Sequence, residues 1–115
     1  MATWKTVVEL GSQLPEVEQG TWFRTAALQV RGKSFVRLKE GGEHAVVYVD
    51  FIERGALNEE DPQTFVVTPH YQDYPAMMVN LERVNHMQLR ELLIESWRYK
   101  APKRLLKAYD EENAP

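Results

Sequence analysis

The first apolar positions, Trp4, Val7, Val8 and Leu14, fall at helical spacing and predict an amphipathic helix over residues 3–14. Gly11 weakens its last turn, and Leu14-Pro15 ends it, because the residue before a proline is pushed out of helical dihedrals. The period then shortens. "TWF" (Thr21 to Phe23) starts a sheet, and "TAALQVRGKSFVRLKEGGEHAVVYVD" reads as three strands joined by two tight turns. A loop of Arg31, Gly32 and Lys33 would pair Val30 with Ser34, Leu28 with Val36 and Ala26 with Leu38. That register gathers apolar residues on one face and sends Gln29 and Arg37 to the other. A two-residue turn would mix the faces, so the three-residue loop is the expectation.

Asp50 followed by Glu53 has the spacing of a capping box, and predicts a short helix limited by Gly55 and Asp61-Pro62. "TFVVT" and "AMMVNL" are two further strands. Asn85 caps the long helix that follows, with Gln88 at the third position after it. Leu89, Leu92, Leu93, Ser96 and Trp97 recur on one stripe of that helix and face a core. Pro102 suits the first position of one or two more helical turns, with Leu105, Leu106 and Tyr109. These elements predict an α+β class: an antiparallel sheet of about five strands with N- and C-terminal helices on one face. Residues 1–115 read as a single domain, with a flexible acidic tail from about residue 110.

Composition narrows the function mainly by exclusion. The chain has no cysteine, which removes thiolate and disulfide chemistry and fits a cytoplasmic protein. Its first residues lack the pattern of a signal peptide, and its longest apolar run, "AVVYV", is too short to cross a membrane. His44, His70 and His86 show no paired ligand spacing, so no metal or other cofactor is expected. "EGGE" would set carboxylates where a phosphate loop needs amides. His70 and Asp73 share a loop without a nucleophile, and no enzyme is expected.

Charge changes the picture more. The net charge is −3, yet ten of the fourteen basic residues sit in two windows free of acids, Arg24–Lys39 and Arg98–Lys107. Such segregation makes local positive faces on an acidic protein. Of the adjacent residues Trp22 and Phe23, only one can face the core, so the other is available on the second sheet face. The connection "VTPHYQDYP" is stiffened at both ends by Pro69 and Pro75. Tyr71 and Tyr74 are expected to pack back on the domain, with Gln72 and Asp73 in water and His70 hydrogen-bonded within the loop.

"LPEVEQGTWFRTAALQVRGKSFVRL", "DPQTFVVTPHYQDYPAMMVNL" and "LRELLIESWRYKAPKRLL" resemble the MmcQ/YjbR family in order and spacing, from about residue 10 to residue 108. The resemblance implies an α-β-α arrangement, similar to frataxin-like and secretion-chaperone-like folds, and DNA binding through a double-wing motif. The chain departs from the family pattern at Ala26, where proline is common, and at Ala76, where tryptophan often follows the Tyr-Pro pair. Frataxin's iron ridge is not carried over, since the first helix offers only Glu9. The expected function is a non-enzymatic binding module with two hairpin wings. Arg31, Lys33, Arg37 and Lys39 would serve the first, His70, Tyr71 and Tyr74 the second, and Lys103 and Arg104 would add charge. The alternative is a protein-interaction or adaptor domain, or a homodimer, without a nucleic-acid role.

Overall fold

The computed structural model describes residues 2–114. The chain runs α1 (Trp4–Gly11), β1 (Val17–Trp22), β2 (Thr25–Val30), β3 (Lys33–Leu38), β4 (His44–Tyr48), α2 (Phe51–Glu60), β5 (Phe65–Val66), a 3-10 turn at Pro69–Tyr71, β6 (Ala76–Asn80), α3 (His86–Lys100) and α4 (Lys103–Glu112). The strands form one antiparallel sheet of six in the order β1-β2-β3-β4-β6-β5. The α+β class is as expected. The extra strand content lies in β1, which begins at Val17 rather than near Thr21. As an outer strand it exposes Glu18 and Gln19, so it lacks the alternation that marks a half-buried strand.

One face of the sheet carries the core. Leu28, Val36, Val47 and Met77 line up across four strands and pack under α1 and α3. The predicted stripe on α3 is buried in full: Leu89, Leu92, Leu93, Ser96 and Trp97. Asn85 accepts a hydrogen bond from the Gln88 amide at 2.7 Å, as the capping spacing required. Asp50 likewise accepts from the Glu53 amide at 2.9 Å, but Gly55 does not shorten α2, which runs on to Glu60. Gly11 has a packing reason: a Cβ there would strike Leu28, so its absence lets α1 lie close on the sheet.

The β2–β3 turn differs from the three-residue loop expected. Val30 pairs with Lys33 around a two-residue turn in which Arg31 (φ 52°) and Gly32 (φ 80°) are both left-handed. The faces nevertheless do not mix, because Phe35 is an extra residue in β3, between Ser34 opposite Gln29 and Val36 opposite Leu28. This bulge returns Leu28 and Val36 to register and buries Phe35 and Val36 together in the core.

α4 is longer than one or two turns. Asp110 to Glu112, read in the sequence as the start of a flexible acidic tail, lie inside it. Arg98 of α3 donates to both Asp110 carboxylate oxygens, at 2.7 and 3.2 Å, and tilted ring contact between Trp97 and Tyr109 completes the packing.

Candidate functional site: a pocket on the open sheet face

The second sheet face follows from the same alternation. Ala27, Arg37, Val46 and Met78 are cross-strand neighbours there, on the face opposite the α3 packing. The connection from β5 to β6 folds back over this face. Tyr71 is buried against Val46 and Ala76, forming a small cluster separate from the main core. Arg54 holds the connection in place from α2. Its Nη1 donates to the carbonyls of Tyr71 (2.8 Å), Tyr74 (2.6 Å) and Ala76 (3.1 Å), and its Nη2 to that of Gln72 (3.0 Å). These are short charge-assisted bonds, added to the turn bonds that the Tyr71 and Tyr74 carbonyls accept from the Tyr74 and Ala76 amides.

Between this connection and the β1–β2 turn lies a pocket of about 550 Å³, lined by Trp22, Phe23, Arg37, Glu40, Val46, Tyr48, His70, Tyr71, Tyr74 and Ala76. Of the Trp22–Phe23 pair, Trp22 projects on this second face, in line with Gly20 and Thr25. Phe23 occupies the turn with φ 52°, followed by Arg24 at φ 66°. A bulky aromatic residue is rare in that left-handed region and strained in it. Phe23 is 66% exposed, with its ring 5.0 Å from that of Trp22 and 5.3 Å from the Arg37 guanidinium. The far end of the pocket carries Tyr48, stacked on Tyr99 at 5.2 Å with Lys100 Nζ 4.4 Å above it. Burial, with Tyr99 and Tyr71 close by, pushes the Tyr48 phenol above its usual range and keeps it neutral.

Arg37 is the buried charged group of the pocket wall, only 6% exposed. Its Nη1 donates to the Thr25 hydroxyl at 3.2 Å and to the Leu38 carbonyl and Glu40 carboxylate at 3.5 Å, and its Nη2 to the Tyr71 hydroxyl at 3.4 Å. Thr25 passes the link on by donating to the Trp22 carbonyl at 2.9 Å. All four contacts are long for a guanidinium, in contrast with those of Arg54. Glu40, its anionic partner, is 61% exposed and is shared with Lys39 at 3.4 Å. A backbone hydrogen bond at Glu40, with Lys39 and Arg37 nearby, holds its carboxyl below the usual carboxylate range.

The structure brings Arg37, His70, Tyr71 and Tyr74 together, with Lys39 at the rim 5.9 Å from the Tyr71 ring. Arg31, Lys33, Lys103 and Arg104 do not line the pocket. Arg31 is engaged by Glu16, and its turn lies at the opposite end of β2 from Phe23, roughly 20 Å away for a strand of this length. The tip that meets the His70–Tyr74 segment is therefore Phe23-Arg24, not Arg31-Gly32. Tyr71 packs back on the domain as expected, whereas Tyr74 stays mostly exposed at the pocket mouth. His70 meets the Tyr71 ring edge-on at 4.8 Å, a packing contact and not the orienting carboxylate bond that a general base needs. Sequence reasoning missed Arg54 and Tyr48. Nothing local marks an arginine that will meet four carbonyls of a distant loop. Tyr48 was readable as the second-face residue two beyond Val46. Among the described residues no group of acids or histidines could hold a metal ion, and no helix is long and apolar enough to cross a membrane.

Three comparisons bear on kinship. Uncharacterized proteins of Mycobacterium bovis and Mycobacterium tuberculosis are 39% identical to this chain over 54 residues, 47% of this chain and 42% of theirs. The match thus spans less than half the length of these relatives. The crystal structure of Deinococcus radiodurans protein DR2400, a DUF419 domain, covers 97% of this chain and 88% of its own, with a TM-score of 0.75 at 22% identity, and shows the same fold. A family model described as YjbR matches residues 12–99, most of the chain, and the protein belongs to the YjbR family.

Proposed function

We propose that this protein is a non-enzymatic binding module that holds single-stranded nucleic acid across its open sheet face. The β1–β2 tip and the Pro69–Pro75 segment act as its two wings. One observation carries the reading. Trp22, Phe23, Tyr48, Tyr71 and Tyr74 share one pocket with Arg37, and Lys39 and Lys100 stand over two of those rings. Unpaired bases stack on aromatic side chains while interleaved cations follow the phosphates, and this works without sequence preference. Bases of a duplex are stacked on one another and cannot reach rings set inside a pocket, so a single strand is the expected occupant. A cytoplasmic location belongs to the same proposal.

Fluorescence anisotropy of a labelled oligothymidylate over a salt series tests it. Binding at low salt should weaken linearly on a log–log plot as salt rises, and the matching duplex should bind less well. Absence of binding at low salt would end the nucleic-acid reading. A specific observation favours a second reading, a protein-interaction or homodimer role. β1 is an outer strand whose far edge has no partner strand, and such an edge accepts an added strand. A mass in solution that grows with concentration would support it.

A further inference from the structure

Buried arginines in this fold come in two kinds, and the difference marks a site. Arg54 is saturated by four carbonyls at 2.6–3.1 Å. Arg37 has only contacts of 3.2–3.5 Å, all through its Nη atoms, and its carboxylate partner is an exposed surface side chain also drawn by Lys39. A guanidinium taken out of water needs close, well-aligned acceptors, carbonyls as at Arg54 or an anion, to offset its lost hydration. Glu40 at 3.5 Å does not supply one. Arg37 also forms part of the wall of a 550 Å³ cavity otherwise dominated by Trp22, Phe23, Tyr48 and Tyr71. That volume lies in the range of small-molecule sites, where a mostly apolar lining carries one or a few polar groups that fix orientation.

We propose that this pocket binds a small amphipathic organic anion, with its flat apolar or aromatic body between the Trp22–Phe23 pair and Tyr71. Its carboxylate, sulfonate or phosphate receives the Arg37 guanidinium. The anion displaces Glu40, which turns outward to Lys39, and it gives Arg37 the paired, charge-assisted bonds that the protein leaves unmade. Phe23 forms the outer wall. Its strained φ of 52° and 66% exposure are accounted for by a ring held ready for a ligand body. The site is the one proposed for strand binding, but the inference rests on the cavity and Arg37 alone.

Two fluorescent probes that differ in one group test it: 1-anilinonaphthalene-8-sulfonate and the neutral N-phenyl-1-naphthylamine. The wild-type protein should bind the sulfonate with one-to-one stoichiometry and at least roughly tenfold more tightly than the amine. Arg37→Gln should abolish that preference. Glu40→Gln, at an exposed position, asks the same question without threatening the fold. It removes the competing carboxylate, so the sulfonate should tighten about threefold while the amine stays put. Phe23→Ala should weaken both probes. Equal affinity for the two probes, a sulfonate preference that survives Arg37→Gln, or no response to either Glu40→Gln or Phe23→Ala would overturn the proposal. Strand binding is read separately by anisotropy, so failure here leaves that reading standing, and the reverse.

Discussion

The Arg37 guanidinium reaches across from β3 to the Tyr71 hydroxyl at 3.4 Å, joining the sheet to a segment 34 residues further along the chain. Through Thr25 the same guanidinium is linked to the Trp22 carbonyl at the β1–β2 turn. One side chain thus couples both walls of the pocket to its floor. The pocket is a product of tertiary placement and not of any single motif.

Phe23 combines a strained backbone with an exposed ring. Its left-handed φ of 52° suits asparagine or glycine in a two-residue hairpin turn far better than phenylalanine. Phe23→Asn should therefore raise stability by about 0.5–1 kcal/mol, measured by urea denaturation, while weakening oligonucleotide binding. A variant that loses stability would show that the ring is held for packing and not for a ligand.

Arg54 has a purely structural task. Arg54→Met keeps much of the side-chain volume but removes the guanidinium from four carbonyls; those of Tyr71 and Tyr74 keep a backbone donor, from the Tyr74 and Ala76 amides, while those of Gln72 and Ala76 lose the side-chain bond. The expected loss is about 2 kcal/mol, with hydrogen exchange accelerating first in residues 69–76. Uniform acceleration across the chain would mean that the segment is not a separate unit.

Ser96 repairs the bulge in β3. Its hydroxyl donates to the carbonyl of Phe35, the residue that the ladder leaves over, and accepts from the Tyr48 amide at 2.8 Å. Ser96→Ala should cost about 2–3 kcal/mol in chemical denaturation, since both backbone groups are left unpaired inside the core. A cost below about 0.5 kcal/mol would show that the two groups find other partners.

Acid sensitivity follows from the lowered carboxylates, Glu40 in the pocket and three others. The Thr64 hydroxyl donates to Asp61 at 2.6 Å and, with Arg83 adding its charge, holds its carboxyl below the ordinary 3.8. Hydrogen bonds from Arg98 and Arg31 lower Asp110 and Glu16 in the same direction. A depressed folded-state pKa contributes stability that is complete above the unfolded value and is lost as pH falls through the folded one. The melting temperature should therefore be level from neutral pH to about pH 5 and fall below about pH 4. Asp61→Asn should fall less steeply. A melting temperature that holds down to about pH 2.5 would contradict this account.

Local signals carried the sequence reading far. The Asn85–Gln88 cap and the Leu89-to-Trp97 stripe depend on neighbours within a few residues, and both stand as expected. The pairing of Leu28 with Val36 was also legible, although the turn beside it was not, because alternation fixes faces while a bulge at Phe35 absorbs the odd residue. Val17–Gly20 was illegible as strand, since an edge position removes the burial contrast that periodicity detects. The pocket was half legible. Arg37, His70, Tyr71 and Tyr74 stood out by residue type, but which hairpin tip meets the 69–75 segment depends on opposite ends of β2 and leaves no local trace. Nor does the sequence distinguish the saturated Arg54 from the loosely held Arg37.

The most direct test of the open sheet face as the binding surface is a map of backbone amide shifts on isotope-labelled protein titrated with single-stranded oligothymidylate at low salt. Shifts should concentrate at Trp22–Thr25, Arg37–Glu40, Tyr48 and His70–Ala76, and should saturate together. Shifts confined to Arg31–Lys33 and Lys103–Lys107, or no shifts at all, would contradict the account.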